Sequence, residues 1–348
     1  MRGAAGAPTC AASIPDRVHE ALAGTRAPTA RASIPDRVHE ALAGEPALVL
    51  AVSGGLDSMA LLHAAVQAGL APRIAAVATF DHASGAAATA AAEFVARAAA
   101  AHGLPCDRAR APDGGPRTEA AWRDQRRAFL RDVAHRRAAR LVTAHTRDDH
   151  IETVAMRIVR GSGARGLAGL AAVSDVRRPL LDTTRAELDA WARANRVAFV
   201  TDPTNTDRQY FRNRMRLDLL PALRRAVPAF DAWILDLAQR ASALRRAVEA
   251  VAEQVPVSID PGGGAIVDRG ALRGLAAADL ATLWPALAAR ASLTLDRRGT
   301  ERLARFTETG STGGRVQLSG KVEVVLRRDA FVIGPLGPPR PSRRKRSR

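Results

Sequence analysis

Residues 47–58 read Ala-Leu-Val-Leu-Ala-Val-Ser-Gly-Gly-Leu-Asp-Ser and run on into Met59-Ala60-Leu61-Leu62-His63. A short apolar run, two glycines and a renewed apolar pattern predict a buried strand, a tight turn and a helix start. The glycines allow positive φ and a close backbone approach. Main-chain N–H groups, two hydroxyls and a helix N-terminus then converge where an anion would sit. Asp57 is the odd member, because a carboxylate beside phosphates makes sense mainly with Mg²⁺ between them. The turn reads as a cradle for a metal nucleotide, with an ordinary strand-to-helix turn as the plain alternative. It is not a Walker loop, which ends in Gly-Lys-Ser/Thr; the chain's only lysines are Lys321 and Lys345.

Downstream, Ile74 to Phe80 reads as a strand ending at Asp81-His82, residues 93–102 as an Ala-rich helix, and Thr118-Glu119 as the start of a helix to about Arg137. Leu141 to Ala144 is a further short strand. Strands alternating with helices imply an α/β fold: a Rossmann-like parallel sheet with helices on both faces. Such sheets bind ligands at the carboxyl ends of their strands, here near Ser53, Asp81 and His145. Beyond residue 218 the pattern changes. Residues 219–251 are amphipathic and helical with breaks at Pro221 and Pro228. Helices at 271–290 and 297–307 and strand-like runs at 315–318 and 322–326 follow. The expected organisation is an N-terminal extension (1–45), a nucleotide domain (46–217), a smaller, mainly helical C-terminal domain that holds a substrate (218–335) and a basic tail (336–348). Residues 12–24 recur unchanged at 32–44. Two copies do not make a solenoid; one should form the helix before the first strand and the other should be dispensable.

The chain of 348 residues carries a net charge of +17, and +11 without the six positive charges of residues 340–348. A basic body fits a polyanionic partner such as RNA, although an arginine-rich proteome also produces basic chains. Cys10 and Cys106 are too few for a disulfide framework, a zinc site or an iron–sulfur cluster, which points to a reducing compartment. Without an apolar run of membrane-spanning length or a signal-like N-terminus, a cytoplasmic protein with no membrane partner is expected.

Three further segments carry polar chemistry. In Thr143 to Thr153, Asp149 and Glu152 share one helix face and form a pair able to grip an ammonium group; acids in a first turn also simply complement the helix dipole. A metal site of His145, Asp148 and His150 is a third reading, but it lacks the i, i+4 histidine spacing. Arg160 to Leu170 is a glycine-rich loop containing Arg165, suited to order over a phosphate or to serve as a plain connection. Asp202 to Arg216 sets Arg212, Asn213, Arg214 and Arg216 beside a strong turn signal, and guanidinium forks match phosphate oxygens.

In this order the motifs resemble the tRNA(Ile)-lysidine synthases of the ATP pyrophosphatase (PP-loop) superfamily. The segments that carry the resemblance are Ser53 to Ser58, Asp81-His82, Glu119-Ala120-Ala121 with Arg123 and Arg126, Ala144 to Thr153, Arg160 to Leu170, Arg178 to Leu181 and Asp202 to Arg216. The resemblance covers residues 46–218 strongly and 219–330 loosely. It implies that ATP adenylates O2 of cytidine 34 in tRNA(Ile) with a CAU anticodon, releasing pyrophosphate, and that free L-lysine then displaces AMP. ATP and Mg²⁺ are the implied cofactors and a homodimer the implied assembly. Ser53, Gly54, Gly55, Leu56, Asp57, Ser58, Asp81, His82 and His145 would bind ATP, with Asp57 on the metal. Asp57, Arg123, Arg126, Asp149 and Glu152 would be catalytic, and Arg160, Arg165, Arg212, Asn213 and Arg214 would hold substrate phosphates. This chain departs from the family with His150 for glutamine, Thr146 for a second histidine, Arg127 for tyrosine and Ala83-Ser84-Gly85 for Gly-Leu-Arg. Among rivals, a tRNA thiolation enzyme needs cysteine pairs this chain lacks, and amide-forming relatives lack the Asp202 to Arg216 block. A catalytically silent RNA-binding protein would have little need of Asp57.

Overall fold

A computed structural model describes residues 32–112, 118–201, 207–259 and 264–335. The first copy of the duplicated segment, residues 202–206 of the arginine block and the basic tail lie outside the described residues. The chain divides into two compact units, one ending at Ser242 and the other beginning at Ala243.

The first unit opens with α1 (Ile34–Leu42), formed by the second copy of the repeat. Ser33 and Asp36 close a capping box, and Ile34, Val38 and Leu42, four residues apart, turn one stripe inward. Then follow β1 (Leu48–Ala51), α2 (Leu56–Gln67), β2 (Ile74–Asp81), α3 (Ala86–Ala101), β3 (Cys106–Arg110), α4 (Glu119–Arg136), β4 (Arg140–Thr143), α5 (Arg147–Val159), β5 (Val176–Arg177) and α6 (Arg185–Ala194). The five strands are parallel in the order β3-β2-β1-β4-β5. Alternate residues of β1 face opposite sides: Leu48 and Leu50 pack with α1, α2, α3 and α6, while Val49 packs with Leu130 and Val133 of α4. The sheet is thus covered on both faces, as expected.

Register brings the site together. Ala51 of β1 pairs with Thr143 of β4, so Ser53 and His145 leave the sheet side by side. Because β2 follows β1 on one side and β4 lies on the other, this is where the strand order reverses, the place at which such sheets open a crevice. At the opposite end, buried Glu45 accepts hydrogen bonds from Arg140 (3.2 Å) and Arg177 (2.6 Å), which fixes the base of the sheet.

A satellite core continues the unit. Ile151 and Val154 of α5 pack on Met215, on Leu220 of α7 (Leu220–Ala226), and on Phe230 and Ile234 of α8 (Phe230–Gln254), the helix within which the unit boundary falls. Pro221 does not break the chain as expected: the backbone is helical from Phe211 to Ala226 and passes through it. Just before it, Met215–Leu219 forms one π-helical turn.

In the second unit β6 (Val257–Ile259), β7 (Ala265–Asp268), α9 (Ala277–Arg290), α10 (Arg297–Thr309), β8 (Arg315–Leu318), β9 (Val322–Leu326) and β10 (Ala330–Pro335) build an antiparallel sheet, order β6-β7-β10-β9-β8, beside the helices. Buried Trp284 meets the Phe331 ring edge-on at 5.4 Å and donates its indole N–H to Thr307 at 2.8 Å. No described helix is long and apolar enough to cross a membrane.

Candidate active site

The loop between β1 and α2 is braced from within. Ser58 Oγ accepts from the Ser53 N–H (3.1 Å) and donates to the Gly55 carbonyl (2.9 Å), and the Ser53 hydroxyl lies 3.2 Å away. Gly54 has φ +89°, and a Cβ there would meet the Ala91 carbonyl oxygen of α3 at 3.3 Å, so the position demands glycine. Of the loop's two glycines, Gly54 alone takes positive φ. Gly55, expected to do the same, has φ −75° and serves as the N-cap of α2. No side chain caps α2, whereas Thr146 and Thr184 cap α5 and α6, so its first-turn N–H groups are left for a ligand.

Across the crevice, α5 carries the acid pair. Asp149 closes a capping box with Thr146 through Oδ2, which accepts the Thr146 N–H and hydroxyl at 2.9 Å each. Its other oxygen accepts from Arg212 at 2.7 Å and lies 3.4 Å from Arg216. Glu152 accepts from Arg212 Nε (3.0 Å) and from Arg216 through Nε (2.5 Å) and Nη2 (3.0 Å). Both acids are buried. Burial would raise the Asp149 pKa, but Arg212, the Thr146 N–H and Arg185 outweigh it and hold the carboxyl below its ordinary value. Arg212 and Arg216 stand four apart just as the π turn begins, which lets both reach one carboxylate.

The two halves meet through Arg185, at the start of α6, whose Nη2 lies 2.6 Å from Asp57 and 3.9 Å from Asp149. Burial pushes the Asp57 carboxyl above its ordinary pKa, opposed by Arg185 and reinforced by Asp149, and its Oδ1 is buried without a partner. Arg185 is absent from the set expected on sequence; Asp148, expected only as part of a metal site, instead accepts the Arg185 N–H at 2.8 Å, and Arg216, expected on phosphate, lies on the acid pair. Thr184 three residues before Glu187 marks a helix start, and Arg185 as its first residue was the available signal; no pattern within the sequence pairs it with Asp57.

The remaining expected residues divide. His145 accepts or donates at Thr143 Oγ1 (2.8 Å), and burial pushes its pKa down to about 4. Asp81 is turned to local structure: it accepts the Ala83 N–H at 2.8 Å and the Thr89 hydroxyl at 2.7 Å. His82 lies between the Phe80 ring at 5.2 Å and that of Trp122 at 6.1 Å. On α4, burial and then the cations of Arg123, Arg127 and Arg212 push the Arg126 pKa down, the mark of gathered positive charge. Arg160 and Arg214 lie over the Phe211 ring at 5.4 and 5.8 Å, joining the glycine-rich loop to the arginine block. Asn213 donates to the Asp207 carbonyl at 2.8 Å, and Arg165 lies in the short turn Ala164–Leu167. The metal site of His145, Asp148 and His150 does not form: no described group of three or more His, Cys, Asp or Glu residues is placed to hold an ion. His150 instead accepts the Leu170 N–H at 3.1 Å.

A PP-loop domain matches residues 29–223. The tRNA(Ile)-lysidine synthase of Bradyrhizobium diazoefficiens is 43% identical over 218 residues, 59% of each chain. That of Salinispora arenicola is 41% identical over 253 residues, 67% of this chain and 73% of the relative. The match thus spans about three fifths of the former relative and about three quarters of the latter. The U34-tRNA thiolase NcsA of Methanococcus maripaludis superposes with a TM-score of 0.50 at 16% identity, over 60% of this chain and 77% of that one, a likeness of fold alone. By its matching domain and these relatives, the chain belongs to the PP-loop family and, within it, to the tRNA(Ile)-lysidine synthases.

Proposed function

We infer that the chain is a carbon–nitrogen ligase that uses ATP to join L-lysine to C2 of cytidine 34 in tRNA(Ile) with a CAU anticodon. The observation that carries this reading is the meeting, through Arg185, of a phosphate-cradling loop with two buried acids. The cytidine O2 attacks the α-phosphorus, pyrophosphate leaves, and the lysine ε-amine then attacks C2 as AMP departs with that oxygen.

Ser53, Gly54, Gly55 and Ser58 receive the pyrophosphate with main-chain N–H groups and hydroxyls, and Arg123 and Arg126 offset phosphate charge. The unpartnered buried Oδ1 of Asp57 fits Mg²⁺, which is commonly held by one carboxylate with phosphate oxygens and water supplying the other ligands. When bound, Mg²⁺ neutralises charge on the departing phosphates. Asp149 and Glu152 bind the lysine ε-ammonium, orient its nitrogen and accept the proton it must lose, since only the neutral amine attacks C2. In the structure their outward oxygens are taken by Arg212 and Arg216, so an incoming ammonium displaces a guanidinium, which moves to substrate phosphate. Residues 46–217 carry this chemistry, and the basic second unit grips the tRNA.

Two variants test the reading. Asp57→Ala should lose Mg²⁺-ATP binding, and Asp149→Asn should raise the KM for lysine at least tenfold with ATP binding intact. An unchanged lysine KM would remove Asp149 from the amine site.

A further inference from the structure

We propose that Arg185 is a catalytic residue of the ATP-cleaving step, exchanging its ion pair with Asp57 for the oxygens of the leaving pyrophosphate. This rests on the nucleotide-binding reading of residues 53–58.

The guanidinium already stands at the loop, with Nη2 2.6 Å from Asp57 Oδ2. Yet the pair is poorly matched. Arg185 Nε is buried without an acceptor, and Asp57 Oδ1 is buried without a donor. Unmatched buried groups of opposite polarity are costly, and a phosphate offers a guanidinium fork several oxygens at once.

The backbone of Arg185 is held while its side chain changes partner. Its N–H donates to Asp148 Oδ2 at 2.8 Å, and the Thr184–Glu187 capping box locks the first turn of α6. Charge points the same way. ATP brings phosphates to a site that already holds Asp57, Asp149 and Glu152, and neither Lys321 nor Lys345 belongs to this unit. Until lysine displaces one of them, Arg212 and Arg216 are engaged by the acid pair, and Arg185 is the described arginine bound to the loop itself. As O2 of the cytidine bonds to the α-phosphorus, the bond to the β-bridging oxygen breaks and its electron pair passes to pyrophosphate. Arg185 donates hydrogen bonds to that growing charge and gives up no proton.

The test is calorimetric binding of Mg²⁺-pyrophosphate and of AMP to the full chain. Arg185→Gln should weaken pyrophosphate about 10- to 100-fold and leave AMP within twofold. Arg185→Lys, which keeps the charge and guards against misfolding of the first variant, should lose severalfold on pyrophosphate alone. A partner exchange has a further signature that a structural role lacks. In metal-free buffer Asp57→Asn should tighten pyrophosphate binding, and most of that gain should vanish in Asp57→Asn/Arg185→Gln. Equal pyrophosphate affinity in Arg185→Gln and the parent, equal losses for AMP and pyrophosphate, or an Asp57→Asn gain that persists without Arg185 would each overturn the proposal. If the unaltered chain binds no pyrophosphate, the nucleotide reading of the loop falls first.

Discussion

His150→Gln offers a test of how the site is buttressed. His150 is 5% exposed, its Nδ1 accepts the Leu170 N–H at 3.1 Å, and its ring fills the space a Cβ on Gly169 would take. Burial holds its pKa down to about 4, with Asp182 opposing and Arg157 and Arg178 reinforcing. A histidine kept neutral in the native state is protonated on unfolding at any pH below its free value of 6.5. Between about pH 6.5 and 4 the unfolded chain therefore binds the extra proton, and stability falls as pH falls. At pH 5 the deficit is 1.5 pH units below the free value, or about 2 kcal/mol. Glutamine presents an amide oxygen to the same N–H and does not titrate. Urea unfolding of both proteins at pH 7, 6 and 5 should show the parent losing about 2 kcal/mol more than the variant from pH 7 to 5, about 1 M in midpoint. Parallel losses would mean that His150 is not held neutral against Leu170.

Three further outcomes follow from the geometry. Gly54→Ala should cost about 1–2 kcal/mol through its positive φ and abolish ATP binding through contact with Ala91; calorimetric ATP affinity unchanged from the parent would contradict the cradle. Glu152→Gln leaves Arg212 and Arg216 to share the one carboxylate of Asp149 and should destabilise the first unit by about 3 kcal/mol, read as a drop in urea midpoint. Deletion of residues 1–24 should leave soluble protein with unchanged melting temperature, since the second copy of the repeat supplies α1 and its buried Ile34, Val38 and Leu42.

Much of the first unit was readable because its signals are local. The apolar runs of β1, β2 and β4, each ending in polar residues, give a parallel sheet and align the ends that hold Ser53, Asp81 and His145. What escaped is set by contacts distant in sequence. Strand β3, Cys-Asp-Arg-Ala-Arg, has no apolar alternation because it is an edge strand and keeps much of its surface in water. The second unit showed strands at 315–318 and 322–326 but not β6, β7 or β10, short segments that join one sheet only because β7 pairs with β10 across some sixty residues, as Ala330 with Asp268. In the site, the shared face of Asp149 and Glu152 was legible from spacing. Their closure by Arg212 and Arg216 was not, since a run of arginines reads equally as a phosphate grip or a solvated face. Arg185 lies 128 residues from Asp57, beyond any pattern of spacing.

On this reading the nucleotide loop and the acid pair serve one two-step reaction. Its most direct test is AMP release from ATP with lysine present or absent, and with CAU-anticodon isoleucine tRNA or its C34U variant. Release is expected only when lysine and cytidine 34 are both present, with lysine appearing in the tRNA. Release that needs tRNA but is indifferent to lysine would contradict it and assign the acid pair another nucleophile.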